Sequence, residues 1–343
     1  MATITEGKAS IYLKKTDKIS KEMPIFYNPV MKLNRDMSIL VLNSLNKTDM
    51  RLALPLAASG IRGLRFLLEL PPSKVKELHL NDYDTDFINN IKKNMKLNKI
   101  HSRKVFLHNT DANLFLLNEK GFDYIDIDPF GTPNPFLDSA VKRISRNGIL
   151  AITATDTSAL CGTYPLACKR KYWAAPLRNE LMHEIGLRIL IRKVQLIGSQ
   201  FERALIPLFS YSKDHYMRVF FQCEKGKKNV DKVSEYHKYF QGAGPLWAGK
   251  LWDEDLVAKM VKINLVKENE KFLNILKDES KISTIGFYDI HKIAKRNKLQ
   301  NIPRKLDLIH LIQKVGYKAS ETHFNPEAIR SDIPLAELEK YFT

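Results

Sequence analysis

The sequence predicts an α/β protein: five parallel βα units closed by an antiparallel hairpin, followed by a smaller α+β domain. Three observations predict it. Between residues 51 and 153, short runs rich in β-branched and aromatic residues alternate with stretches of helical periodicity. Successive runs end in a glycine turn or an aspartate, where open parallel sheets place their ligand loops. Past residue 224 the alternation stops, and a Lys-rich then Gly-rich stretch leads into amphipathic helices.

At 343 residues the chain is long enough for two domains with their own cores, and we draw them at 1–225 and 226–343. Its 44% hydrophobic and 27% charged residues are those of an ordinary soluble protein, but a net charge of +17 favours a polyanion partner, nucleic acid before membrane. Residues 211–343 hold 24 Lys/Arg and 18 Asp/Glu, a net of +6, which leaves +11 of the +17 for residues 1–210. The more basic part is therefore the one that carries the sheet. No apolar run reaches spanning length, and the first twenty residues lack the apolar core of a signal peptide. Cys161, Cys168 and Cys223 form no C-x-x-C pair, which predicts reduced thiols, a cytoplasmic location and neither a disulfide framework nor a zinc cage.

Residues 1–36 read as polar and irregular, with Phe26, Tyr27 and Asn28 held extended between two prolines. Apolar residues at helical spacing predict a helix over 36–46, capped by Asn34 or Asp36. Strands are expected at 51–57, 75–80, 104–108, 122–127 and 148–153, with helices through 70 and over 85–97 and 135–145. A long helix over 180–198 precedes two strands, 204–211 and 216–223, joined by a tight turn. Helices near 253–264, 268–277, 287–297 and 304–315, a strand over 317–324 and a short terminal helix complete the chain.

The residues at the strand ends carry the chemistry. Ala58-Ser-Gly-Ile-Arg-Gly63 stands where a nucleotide-binding sheet has its glycine turn, although it lacks the full G-x-G-x-x-G spacing. Asp82 is placed to accept both ribose hydroxyls of an adenosine cofactor, and Asp111, beside the Ala112 backbone, to accept the adenine amine. Each aspartate also suits a helix cap. Arg35, Arg62 and Arg65 offer guanidiniums for a cofactor carboxylate. Asp128-Pro129-Phe130-Gly131 fits attack by an exocyclic base amine, whose lone pair is delocalised into its ring. The carboxylate accepts one N–H and later the proton, the proline carbonyl accepts the other, and the phenyl ring offers a stacking face. No His/Cys cluster at ligand spacing is present, and no metal is predicted.

The sheet plan is that of class I S-adenosylmethionine-dependent methyltransferases, a Rossmann-like architecture. More specifically, Phe26-Tyr-Asn-Pro29, Leu33-Asn-Arg-Asp36, Ala58-Ser-Gly-Ile-Arg-Gly-Leu-Arg65, Asn81-Asp82, Asp126-Ile-Asp-Pro-Phe-Gly-Thr-Pro133, Gly244-Pro-Leu-Trp-Ala-Gly249 and Thr322-His-Phe-Asn-Pro-Glu-Ala-Ile-Arg330 resemble the tRNA (guanine(26)-N2)-dimethyltransferase family over nearly the whole chain. The resemblance implies transfer of one, then a second, methyl from S-adenosylmethionine to N2 of guanine 26 of tRNA, with no membrane and no obligate protein partner. It makes Asp128 the catalytic carboxylate and Pro129, Phe130 and Phe26 its neighbours around the base. Arg35, Arg65, Asp82, Asp111 and Ala112 become cofactor contacts, with Arg62 beside them, and residues 226–343 a tRNA-binding domain. Many members carry a four-cysteine zinc site before Gly-Pro-Leu-Trp; here only Cys223 stands there, so no zinc is expected. An apolar core is expected to hold the second domain instead, with Trp247, Leu251 and Trp252 packing at the domain junction. Two other readings stay open: a methyltransferase for an adenine or glutamine amine, whose corner favours a second proline, and a non-catalytic RNA-binding protein, which has no need of three aspartates facing a polyanion.

Overall fold

The computed structural model describes residues 2–13, 26–298 and 302–342. Their contacts define two units, each interrupted in sequence: Met1–Thr155 with Val194–Ile206 and Arg218–Val233, and Asp156–Lys193 with Pro207–Met217 and Ser234–Thr343.

The first unit opens with a hairpin, β1 (Ala2–Glu6) and β2 (Ala9–Leu13), paired from Ala2↔Leu13 to Glu6↔Ala9. The polar start is therefore ordered structure, not the irregular segment its composition predicts. A lone hairpin is marginal in water, and α3 (Phe87–Leu97) supports this one. The Asn94 and Asn98 side chains accept from Tyr12 N at 2.9 Å and Ser10 N at 2.7 Å, as ladder partners would. Residues 14–25, where part of the expected extended segment falls, lie outside the described residues. Then α1 (Lys32–Ser44) begins four residues earlier than its periodicity suggests. Asn34 and Asp36 are buried inside it and cap nothing, because both are bound to partners beyond the helix.

Next come β3 (Met50–Leu54), α2 (Ile61–Glu69), β4 (Val75–Asn81), β5 (Val105–His108), α4 (Ala112–Asn118), β6 (Phe122–Ile127), α5 (Leu137–Arg143) and β7 (Ile144–Ala154). With β8 (Arg203–Lys213) and β9 (Tyr216–Lys225) they form a seven-stranded sheet in the order β5-β4-β3-β6-β7-β9-β8, parallel from β5 through β7. The chain builds outward through β4 and β5, then returns to the other side of β3. Right-handed crossovers place the helices of the two halves on opposite faces, and the order reverses between β3 and β6.

One ion cluster binds the hairpin to the helices. Glu6, buried, accepts from Arg35 Nε at 2.7 Å, Arg65 Nη1 at 2.7 Å and the Tyr27 hydroxyl at 3.0 Å. Burial opposes its charge, but the two guanidiniums prevail and hold its carboxyl at about 2. The folded value lies below the unfolded one, so the stabilisation is full above about 4.3 and is lost as pH falls towards 2. Glu6→Gln is expected to lower the urea midpoint at pH 6 and to converge on the wild type only as pH falls through about 2. A difference independent of pH would remove the charge from the explanation.

The second unit contains α6 (Thr157–Leu160), α7 (Pro165–Tyr172) and most of α8 (Met182–Ser199). The Lys-rich stretch expected to be a linker is largely α9 (Lys227–Ser234), with Val230 and Val233 buried, and all of it but Ser234 belongs to the first unit. It is followed by a second hairpin, β10 (His237–Phe240) and β11 (Ala243–Trp247). Then come α10 (Glu254–Ile263), α11 (Lys267–Glu279), β12 (Tyr288–Asp289), α12 (Ile290–Arg296) and α13 (Lys305–Lys314). The expected strand over 317–324 is shorter, β13 (Ala319–Glu321), and pairs with an unforeseen β14 (Ala328–Ser331), with α14 (Leu335–Leu338) near the end. Trp247, Leu251 and Trp252 are buried, and the two indoles donate to the Lys250 and Ser210 carbonyls.

A charged network lies wholly inside this unit. Arg330 donates from Nη2 to Glu184 Oε2 at 2.7 Å and from Nε to Glu279 Oε1 at 2.9 Å, and all three side chains are 0% exposed. Arg188 donates to Glu184, while Thr322 and His323 bond Glu279. Burial works against the Glu279 charge, and His323 and Arg330 overcome it, holding its carboxyl at about 2.

Candidate functional site

The reversal of strand order between β3 and β6 leaves their outgoing loops diverging, the place where open α/β sheets bind ligands. After β3 the chain enters α2 through Ala58 at φ +48° and Gly60 at φ +76°. Asp82, directly after β4, holds the first turn: its Oδ2 accepts from Ala58 N at 2.7 Å and its Oδ1 from Asp84 N at 3.1 Å. At Gly63 a Cβ would stand 2.6 Å from Leu80 Cδ2, so only glycine lets α2 lie this close to the sheet. Asn81 ties the strand ends together, donating to the Pro55 and Thr110 carbonyls and accepting from Thr110 N.

Asp111 is the N-cap of α4, with Oδ1 accepting from Asn113 N at 2.9 Å and Leu114 N at 3.1 Å. The cap occupies one oxygen; Oδ2 makes no hydrogen bond among the described residues. Ala112, buried, follows as the first residue of the helix, where a backbone N–H has no partner within its own helix.

Asp128 leaves β6 with its carboxylate half-buried. Its Oδ2 accepts from Arg62 Nη2 at 2.5 Å. Arg62 is itself buried and fixed, donating to Ser38 Oγ at 2.7 Å and Asn34 Oδ1 at 3.0 Å on α1, with Asp126 Oδ2 at 3.3 Å. Asp126 points to the same side of β6 as Asp128, as alternate strand residues do. Behind it Arg218 of β9 makes a forked pair with Asp126 at 2.8 and 2.7 Å and also donates to Thr153 and Ser38. Burial opposes the Asp126 charge, and the Arg218 and Arg62 guanidiniums outweigh it, so the carboxyl titrates below its usual range. The negative charge of Asp128 thus rests on a layer that is already neutralised, and Arg62 sets its orientation.

The rest of the corner is equally fixed. Pro129 is buried, and Gly131, at φ +84°, exchanges hydrogen bonds with Thr155 after β7. Phe130 is 48% exposed and meets Phe26 edge to face, ring centroids 4.4 Å apart. Arg35 and Arg65 stand at the Glu6 cluster. Arg65 is engaged by Glu6, Asp36 and Glu69, whereas Arg35 Nη1 makes no hydrogen bond among the described residues.

The sequence reading missed Asn34, Ser38, Asn81, Asp126, Thr155 and Arg218 as positioning groups. Asp126 had a signal, its i, i+2 spacing from Asp128, and so did Arg218, a cation inside an apolar strand. It also found no cluster at metal-ligand spacing, yet His79, His108 and Glu119 come together, with one ligand atom of each within 4.8 Å of the others. The two imidazoles stand at hydrogen-bond distance, 3.1 Å, and Arg51 donates to Glu119. Burial lowers both histidines, which keeps them neutral and suited to that mutual bond.

A parallel sheet that reverses order beside its first loop and finishes in a hairpin, with acidic residues after successive strands, defines the class I methyltransferase architecture. The chain belongs to the N2,N2-dimethylguanosine tRNA methyltransferase family, whose model matches residues 7–243 and 232–343. It is 39% identical to the tRNA (guanine(26)-N(2)/guanine(27)-N(2))-dimethyltransferase of Aquifex aeolicus, over 99% of this chain and 95% of that one. It is 38% identical to the tRNA (guanine(26)-N(2))-dimethyltransferase of Methanobrevibacter smithii, over 98% and 96%. The structure of Trm1 from Pyrococcus horikoshii in complex with S-adenosyl-L-methionine matches with a TM-score of 0.89 and 34% identity, covering 100% of this chain and 98% of that one.

Proposed function

We propose that this protein transfers one and then a second methyl group from S-adenosylmethionine to N2 of guanine 26 of tRNA. The observation that carries the reading is Asp128 at the end of β6, one oxygen held by Arg62 and an exposed phenyl ring two residues on, in a chain of this family. The target amine lies within a folded RNA, so the base flips out and stacks against Phe130 and Phe26. Asp128 and the Pro129 carbonyl accept its two N–H groups. This turns the nitrogen lone pair towards the methyl and gives the departing proton an acceptor. The cofactor supplies an electrophilic sulfonium methyl.

The residues present fit that cofactor. Each Asp82 oxygen accepts one backbone N–H and keeps lone-pair capacity for a ribose hydroxyl. Asp111 Oδ2 suits the adenine amine, and the Ala112 N–H suits a ring nitrogen. Arg35, through its unengaged Nη1, is the best placed guanidinium for the methionine carboxylate. Arg65 backs it through Glu6, and Arg62 serves the reacting end. No metal enters the proposed reaction. In the same reading residues 1–225 act on the base, residues 226–343 grip the tRNA, and the protein works in the cytoplasm without an obligate protein partner.

Asp82→Ala is expected to weaken S-adenosylmethionine binding about 10- to 100-fold by calorimetry, since two hydrogen bonds to a charged acceptor are lost; an unchanged affinity would remove Asp82 from the site. The function itself is tested by mass spectrometry of nucleosides from a tRNA transcript incubated with protein and cofactor. N2,N2-dimethylguanosine that disappears when guanine 26 is replaced supports the proposal. Product that persists points to a neighbouring guanine such as 27, and no methylated guanosine from a cofactor-binding sample refutes it.

A further inference from the structure

Arg192 and Lys193, adjacent on α8 in the second unit, have no ion pair among the described residues, although Lys193 is only 5% exposed. The Lys193 ammonium lies 2.9 Å from the centre of the Trp173 ring, a cation–π contact in place of a carboxylate. Arg192 Nη1 donates to the Trp173 carbonyl at 3.2 Å, and its Nε is buried with no hydrogen-bond partner among the described residues. Buried cations without counter-charge are costly. The neighbourhood feels it: burial and Arg192 bring Lys193 down to about 8 and His237 to about 4.

Two large rings are exposed at the same place. Trp173, in a left-handed conformation at φ +57° just past α7, has one face on Lys193 and is still 46% exposed. Ala175, two residues on, exchanges backbone hydrogen bonds at 2.8 Å with Gly244, which packs beside the Cα of Tyr239. Tyr239 is 71% exposed. Lys169 and Arg170, in the last turn of α7, extend the positive surface.

A buried lysine and a partly exposed arginine, neither with a carboxylate partner among the described residues, call for an anion, and exposed aromatic rings beside them call for flat partners. A polynucleotide supplies both at the spacing of one residue. We propose that the second unit carries an RNA site in which Arg192 and Lys193 take a backbone phosphate while Trp173 and Tyr239 stack on the neighbouring unpaired bases. The site rests on the reading of tRNA as substrate and extends the gripping surface beyond residues 226–343 to Trp173, Arg192 and Lys193, which belong to the same unit.

The test is the affinity of the full chain for a fluorescent tRNA transcript, by anisotropy, over a series of salt concentrations. Arg192→Gln is expected to weaken binding roughly ten-fold and to reduce the slope of log affinity on log salt by about one. Trp173→Ala is expected to weaken it by a similar factor with the slope unchanged, and Trp173→Phe to restore most of it. Affinity for S-adenosylmethionine should not move in any of them. Trp173 is exposed, so its variants keep the test open if Arg192→Gln misfolds. Wild-type affinity and slope in Arg192→Gln and Trp173→Ala would overturn the site while leaving the methyl-transfer reading intact. Variants that lose binding in a protein that makes no methylguanosine would refute that reading and leave the site standing.

Discussion

Asp128→Asn is expected to lower methyl transfer to tRNA by about 10²- to 10⁴-fold, the range for loss of a general base. Cofactor affinity and folding should stay near the wild type. The substitution keeps the shape of the side chain, which is only half-buried, and leaves the Asp126–Arg218 pair beneath it untouched. What it removes is the charge that aligns the amine and accepts its proton. The amide can still accept one N–H, so tRNA should bind with little change while turnover falls. The measurement is single-turnover formation of N2-methylguanosine with saturating cofactor. If Asp128→Asn turned over as fast as the wild type, the carboxylate would have no part in the chemistry. If it unfolded, Asp128 would be a structural partner of Arg62 first. An equal loss in the first and second transfers would mean that both use the same carboxylate.

Arg62 links this prediction to the architecture. A free aspartate at a strand end samples several rotamers, but one oxygen here is fixed by a guanidinium that is itself bound to α1 and to β6. Arg218, from a strand far along the chain, neutralises Asp126 and so frees Arg62 to serve Asp128. Preorganisation of this kind lets a weak nucleophile meet an already reactive methyl without first ordering the site.

The parts legible in the sequence are those written in local pattern. Strand runs and helical spacing gave the five βα units because each is a short-range signal, and parallel strands put their end residues, Asp82, Asp111 and Asp128, along one edge without any knowledge of contacts. What the sequence hid depends on long-range pairing. Glu6 looks like one acid in a polar tail until β1 brings it to Arg35 and Arg65. The β1–β2 hairpin alternates along Ala9–Leu13, but the Asn94 and Asn98 side chains that take up the outer N–H groups of β2 lie more than eighty residues away. The α9 helix was masked by lysines whose chains coat its exposed side while Val230 and Val233 carry the packing. Spacing put Arg62 and Arg65 on one helix after the glycine turn, but only the fold separates their partners, Asp128 for one and Glu6, Asp36 and Glu69 for the other.

Arg330→Met is expected to destabilise the second unit by about 3–5 kcal/mol, the cost of leaving buried charges without their partner. Arg330 serves two carboxylates at once, and Glu184 and Glu279 are both fully buried. Arg188 remains for the first and His323 for the second, so the loss should stay below that of two isolated buried anions. Denaturant unfolding followed through Trp247 and Trp252, both buried in this unit, reads the change directly. The quadruple variant Glu184→Gln/Arg188→Met/Glu279→Gln/Arg330→Met, which also takes away the buried guanidinium paired to Glu184, should recover most of the stability, because removing the charges together removes the desolvation that the single change exposes. A single variant as stable as the wild type would mean that the carboxylates take up protons on losing Arg330. That alternative has its own signature, a stability that falls as pH rises from 5 to 8, whereas carboxylates that stay charged in Arg330→Met leave it flat across that range.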